Sequence, residues 1–309
     1  MSENAKPLAD RLDGLLFFPV TAFAADGSVD TAVFRAHIRS RLDRGAAAVF
    51  AACGTGEYHA LGLEEYERVV AAAVEEVAGA VPVVAGAGHG TALAVEFLRR
   101  AESAGADGVL ALPPYLVTAS QAGLERHYTA LAEATALDVI VYARDNAVLD
   151  PETVVRLAAV DNIIGFKDGV GDLDRMQRIV SAVRTSRPGL PLRYFNGLPT
   201  AELTALAYRG IGVTLYSSAA FCFVPDLALA FHKALGSGDD ETVNRLLDGF
   251  FRPLVELRNQ GAGYAVSLVK AGVRMDGLDV GTVRSPLTEA TDEHIAQLAA
   301  LIERARDLI

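Results

Sequence analysis

What most constrains this chain is an alternation. A short apolar run followed by a longer amphipathic segment recurs eight times before residue 236. The apolar runs at 15–18, 46–51, 81–85, 108–112, 139–142, 162–167, 192–195 and 211–216 read as strands bounded by turn residues. The segments at 30–42, 63–77, 91–104, 121–134, from 151 onward, 172–183, 200–208 and 225–234 carry helical periodicity. Asp30 is a suitable N-cap for the first helix. Pro151 opens another at its first turn, where a missing N–H costs nothing. Eight strand–helix units predict an α/β chain folded as a (β/α)8 TIM barrel, a fold of typically ~250 residues. Beyond Gly236 the segments 239–258, 264–273 and 291–308 read as helices with no strands between them. The expected organisation is therefore a barrel over 1–235 carrying the active site, and a C-terminal α-helical extension over 236–309 packed on it.

Composition narrows the function. The formal net charge of −11 is the wrong sign for a nucleic-acid binder, which needs a basic footprint. It leaves room for an anionic small substrate, because a pocket can be locally positive on an acidic protein. Cys53 and Cys222 are far apart and form no metal-binding spacing, so they read as buried thiols. The N-terminal SENAKPLADRLDG is polar, unlike a signal peptide, and no apolar run approaches the ~18 residues of a membrane span. The expectation is a soluble, cytoplasmic protein with no membrane partner.

Barrel enzymes carry their chemistry at the C-terminal ends of the strands. Two neighbouring strands end there on polar side chains: 139–142 on Tyr142 and 162–167 on Lys167. Consecutive strands of this kind usually pair, which brings the two residues together. A lysine closing so apolar a strand has two readings. It keeps its head in water or pairs with Asp168, or it is a desolvated nucleophile of the kind that forms Schiff bases with carbonyl substrates. After strand two, Gly54-Thr55-Gly56-Glu57 makes a turn whose N–H groups and hydroxyl suit a carboxylate. Asn196, Ser217 and Ser218 sit at the same end of the barrel and are candidates for holding the rest of a polar substrate; ordinary loop roles are the alternative. Arg144, Asp145 and Asn146 either shape the pocket or form an intraloop salt bridge. Glu57 reads as a structural cap of its turn, and Lys270 as a surface or interface residue. Gly86-Ala87-Gly88-His89-Gly90-Thr91 imitates a dinucleotide fingerprint, but Thr91 stands where the third glycine belongs and a barrel offers no doubly wound sheet. The six histidines show no ligand spacing, so no metal is expected.

Longer segments carry a resemblance: GLLFFPVTAF, AGAGHGTALAVE, LPPYLV, RDNAVL, GFKDGVGD and GYAVSLVKAGVR. With the GTGE turn and the strand-five tyrosine, they make the chain similar to the N-acetylneuraminate lyase / dihydrodipicolinate synthase family of class I Schiff-base lyases, and within it to the sugar-diacid dehydratases. The resemblance implies that Lys167 forms the imine, that Tyr142 relays protons, and that Gly54 and Thr55 hold the carboxylate beside the ketone. The implied substrate is a six-carbon 2-oxo sugar diacid, dehydrated and decarboxylated to 2,5-dioxopentanoate. The lysine carries the electronic work, so no cofactor is expected, and a homotetramer or dimer is implied. Three positions depart from relatives: Ala147 where the synthases place an arginine for a distal carboxylate, Leu116 where they use a second tyrosine, and Ala143 where the dehydratases place Asn. The departures at Ala147 and Leu116 argue against dihydrodipicolinate synthesis. The rival readings are an aldolase or lyase of the same family, and a non-catalytic barrel that binds a sugar acid.

Overall fold

A computed structural model describes residues 6–309; residues 1–5, the start of the polar N-terminal stretch, lie outside the described residues. The eight strands are β1 (Leu16–Phe17), β2 (Ala48–Ala51), β3 (Val83–Ala87), β4 (Gly108–Ala111), β5 (Asp138–Ala143), β6 (Ile163–Asp168), β7 (Arg193–Asn196) and β8 (Leu215–Ser218). They pair in parallel, each with its chain neighbour, and β8 returns to β1 to close the barrel. The outer layer is α2 (Thr31–Leu42), α3 (Leu63–Val77), α4 (Thr91–Ser103), α5 (Gln121–Glu133), α6 (Pro151–Leu157), α7 (Leu173–Ser186), α8 (Ala205–Gly210) and α9 (Pro225–Ser237). The barrel and the helical C-terminal segment are thus as the residue pattern predicts, with several strands one or two residues shorter than their apolar runs.

Alternating strand residues divide the core in two. Leu16, Phe18, Phe50, Val84, Leu110, Ile140, Phe195 and Leu215 fill the barrel, and the residues between them pack outward under the helices. Asp30 caps α2 as expected, its carboxylate accepting from the Ala32 and Val33 amides at 3.0 Å each.

The N-terminal segment holds an element that its polar composition conceals. A single turn, α1 (Leu8–Arg11), carries Leu8 and Leu12 into the barrel's interior cluster. Gly108 leaves the space that Leu8 uses: a Cβ there would lie 2.5 Å from Leu8 Cδ2. Arg11 then pairs with Asp107 at 2.7 Å, and Arg193 donates to the Leu12 carbonyl at 2.8 Å. The floor of the barrel is closed from outside the repeat, so the apolar periodicity of the strands does not announce it.

Beyond α9 the chain forms α10 (Asp240–Leu246), a π-helical turn (Leu247–Phe251), α11 (Arg252–Arg258), α12 (Tyr264–Met275) and α13 (Asp292–Ala305). The helix expected over 239–258 is therefore interrupted. Pro253 has no amide to continue the ladder, and the wider turn just before it absorbs the mismatch. Val243, Leu246, Phe250, Leu268 and Val269 belong to the same buried cluster as the outward faces of the strands, so one apolar core runs through barrel and extension.

The closeness of β2 and β3 sets the shape of the turn after β2. A Cβ on Gly86 would lie 2.4 Å from the Ala52 carbonyl oxygen, at a residue that already has a left-handed φ of 50°. Gly86→Ala is expected to destabilise by about 1–3 kcal/mol or more, through backbone displacement. Gly236→Ala, in α9 with nothing within 4 Å of the added carbon, should instead stabilise by up to ~1 kcal/mol. Thermal melts of the two variants check the contrast.

Candidate active site

The register of β5 on β6 sets Tyr142 opposite Lys167, and β7 sets Phe195 on the other side of Lys167. Lys167 is only 4% exposed. Its Nζ lies 4.2 Å from the centroid of the Phe18 ring and 4.6 Å from that of Tyr142. No partnership with Asp168 forms. That carboxylate points the other way, accepting from the Tyr208 hydroxyl and from the Val170 amide at 2.9 Å. The amine is thus held between aromatic faces, with no carboxylate paired to it among the described residues. Burial lowers its pKa from 10.5 to about 8, with Cys53 opposing and Arg144 adding to the shift.

Two glycines make the space for this pair. A Cβ on Gly197 would meet Lys167 Cε at 2.7 Å and Tyr142 Cε2 at 2.8 Å, and one on Gly169 would meet the Tyr142 ring at 2.7 Å. The Tyr142 hydroxyl donates to the Gly197 carbonyl at 2.8 Å, which orients the phenol beside the amine. Burial raises the Tyr142 pKa, opposed by the Arg144 guanidinium, so the phenol keeps its proton at neutral pH. Cys53, beside Lys167, is pushed up to about 12 by burial and stays a neutral thiol.

A cavity of 320 Å³ opens above the amine. Lys167, Tyr142, Gly54, Thr55 and Ser217 line it, together with Arg144, His59 and Pro199. Gly263, Ala265 and Val266 from the start of α12, and Leu287 beyond it, complete the wall. The structure therefore brings Lys167, Tyr142, Gly54, Thr55 and Ser217 together around one space.

Asn196 and Ser218 are elsewhere. Asn196 is 1% exposed and spends its amide on the Ala201 carbonyl at 3.0 Å and the Thr204 hydroxyl at 2.8 Å, bracing the loop after β7. The Ser218 hydroxyl donates to Glu202 behind the sheet. Both side chains face the layer between strands and helices, because strand residues alternate and Ser217 takes the inward position. Ala143 likewise packs outward in the core, so its departure from Asn removes nothing from the cavity. Ala147 is fully buried, and the cation near the cavity is Arg144, three residues earlier. Arg144 does both things expected of it: it lines the cavity, and its Nε lies 3.2 Å from Asp145. Asn146 ties the loop after β4 in place by donating to the Pro114 carbonyl at 2.9 Å and the Val117 carbonyl at 2.6 Å.

Lys270 is not at the surface. It is fully buried, with Nζ 2.7 Å from Glu57 Oε1, and it donates to the Thr282 carbonyl at 2.8 Å. Glu57 does end its turn, at a left-handed φ of 54°, but it is anchored by this ion pair and not by the helix that follows. Residue identity could not reveal this: the spacing of 213 residues between the partners has no local signature, although a lysine amid SLVKAGV sits among apolar neighbours.

The lysine's environment makes two measurable claims. Imine formation needs the neutral amine, so the rate should rise with pH through about 8 and then level, roughly tenfold between pH 7 and 9. The pH profile of borohydride trapping checks it. Between about 8 and 10.5 the unfolded chain holds a proton that the folded chain has lost, so stability rises with pH across that window. Lys167→Met should abolish trapping, flatten that slope, and raise stability below pH 8 by on the order of 3 kcal/mol.

The chain is similar to known proteins over nearly its whole length. A protein of Streptomyces avermitilis described as a probable 5-dehydro-4-deoxyglucarate dehydratase is 69% identical over 309 residues, covering 99% of this chain and 98% of its own. One from Streptomyces griseus with the same description is 68% identical, covering 99% and 97%. The crystal structure of dihydrodipicolinate synthase from Bacillus clausii superimposes with a TM-score of 0.89 at 28% identity, covering 97% of this chain and 100% of that one. The family described as the dihydrodipicolinate synthetase family matches residues 11–305, and the chain belongs to it.

Proposed function

We propose that this protein is a 5-dehydro-4-deoxyglucarate dehydratase, converting 5-dehydro-4-deoxy-D-glucarate to 2,5-dioxopentanoate, water and carbon dioxide. The observation that carries the reading is a carboxylate-free, desolvated lysine beside an oriented phenol in an open cavity. Near-full-length identity to proteins of that description supports it.

The chemistry follows from the lining. The substrate's C1 carboxylate sits on the Gly54–Thr55 turn, which places the C2 ketone over Lys167. The neutral amine adds to the carbonyl, and loss of water gives a protonated imine. The Tyr142 phenol gives its proton to the hydroxyl lost in forming the imine, and the phenolate then takes the C3 proton that this cation acidifies. The enamine expels the C4 hydroxyl, which leaves as water with that proton. The imine, now conjugated to C4, accepts the electron pair of the C5–C6 bond, and C6 departs as carbon dioxide. Protonation and hydrolysis then return the amine and free 2,5-dioxopentanoate. The water used in hydrolysis balances the one lost in forming the imine.

The other end of the diacid needs a cation and hydroxyl partners. Arg144 supplies the guanidinium, whose planar fork matches a carboxylate, and Ser217 supplies a hydroxyl from the end of β8. We also read the protein as cytoplasmic. No helix among the described residues is long and apolar enough to cross a membrane. A homotetramer or dimer is supported by the apolar loop tip of Tyr115, Leu116 and Val117, 66%, 76% and 58% exposed.

Mass spectrometry after addition of 5-dehydro-4-deoxyglucarate and borohydride should show an adduct on the native protein and none on Lys167→Ala, with carbon dioxide evolved when borohydride is omitted. An adduct with pyruvate released in place of carbon dioxide would move the assignment to an aldolase, and no adduct with any 2-oxo acid to a binding protein. Arg144→Met should raise KM for the diacid by about tenfold or more while leaving pyruvate trapping near native, since a charge-assisted pair contributes about 1.5–3 kcal/mol.

A further inference from the structure

The Glu57–Lys270 pair lies outside the chemistry described above, yet it joins two parts of the cavity wall. Glu57 closes the turn whose Gly54 and Thr55 line the cavity. That turn is held from below as well: the Thr21 hydroxyl donates to the Gly56 carbonyl at 2.6 Å, and the Glu57 amide donates to the Gly54 carbonyl at 3.1 Å. On the other side, Val266 lines the cavity and Lys270 stands one helical turn further along the same face of α12. The Glu57 carboxylate spans the gap. One oxygen is 2.7 Å from Lys270 Nζ, and the other accepts the Arg284 amide at 2.8 Å. Arg284 also holds Glu65 through two nitrogens, at 2.6 and 2.7 Å, and three residues later Leu287 reaches the cavity.

Two physical consequences follow. A buried ion pair contributes little net stability over an apolar pair of the same size, but it holds its partners at one separation. In addition, Glu57 lies only two residues from Thr55. Without Lys270 its carboxylate would lose its ion-pair partner and keep only Arg284, next to the turn that receives the substrate's own carboxylate, and like charges repel strongly where water is excluded.

We propose that Lys270 and Glu57 are positioning residues for the 2-oxo carboxylate: the pair sets the Gly54–Thr55 turn against α12 and cancels the charge that would repel the anion. This rests on the reading of that turn as the carboxylate site. It makes the C-terminal extension part of the substrate-binding apparatus.

Pyruvate, which has only the ketone and its carboxylate, is the probe. In Lys270→Met the half-saturating pyruvate for borohydride trapping should rise about ten- to hundredfold, the range for a misplaced binding group. The trapping rate at saturation should stay within about threefold of native, because the Lys167 amine itself is undisturbed. Lys270→Arg, which keeps the charge, should recover most of the affinity. If Lys270→Met does not fold, E57Q/K270M, which removes both charges together, is read by the same two numbers. Native half-saturation in a folded Lys270→Met or in the double variant overturns the proposal, since a purely structural pair would lower the melting temperature and leave pyruvate affinity alone. Failure of the native protein to trap pyruvate would instead sink the Schiff-base reading on which it stands.

Discussion

The arrangement depends on keeping one amine dry. An ammonium ion in a protein interior is unfavourable unless a carboxylate or water compensates it, and the Lys167 amine lies between two aromatic faces with the neutral Cys53 thiol nearby. The neighbourhood is built to maintain that condition. Asp168, the obvious counter-ion, is turned outward and occupied by Tyr208 and the Val170 amide. Gly169 and Gly197 let the phenol and the loop after β7 close over the lysine. The stability given up in burying this group is what brings its pKa down to about 8, the condition that the proposed nucleophile needs.

The barrel can sustain that strain because its rigid parts are elsewhere. The interior is filled from Leu16 to Leu215, and the floor is sealed by Leu8 and Leu12. Loops on the catalytic face are tied by side-chain amides and hydroxyls, as Asn196 does after β7 and Asn146 does for the loop after β4. Those residues are as necessary to the cavity as the ones that line it, but they act by shaping backbone.

Charge is used in two ways. Exposed pairs such as Arg178 with Asp174 along α7 each contribute about 0–1 kcal/mol and are screened by salt. Inside, Lys270 and Glu57 are both fully buried and meet across the junction of barrel and extension, with the Phe23 ring 4.1 Å from the lysine amine. One lysine of the protein is thus buried without a carboxylate and another with one. Burial lowers the pKa of both amines, but Glu57 opposes that shift at Lys270, whereas no carboxylate among the described residues does so at Lys167.

Much of this was legible along the chain. Eight apolar runs separated by helical segments specify a closed parallel barrel, because each strand must be buried on both faces and each helix on one. Lys167 and Tyr142 were legible for the same reason: position at a strand's C-terminal end fixes which rim of a barrel a residue occupies. Three things waited for tertiary structure. Whether a polar residue at that rim faces the cavity or the helices is decided by strand stagger and local twist, which separate Ser217 from Ser218 and turn Asn196 away. The plug by Leu8 and Leu12 depends on a gap above Gly108 that no local pattern records. The meeting of Glu57 with Lys270 is set by how α12 crosses the barrel mouth. Local periodicity reports which face of an element is apolar, and it determined the barrel and the place of Lys167 on its rim. Contacts between residues far apart in the chain arise only when those faces pack, and packing decided where the second lysine belongs.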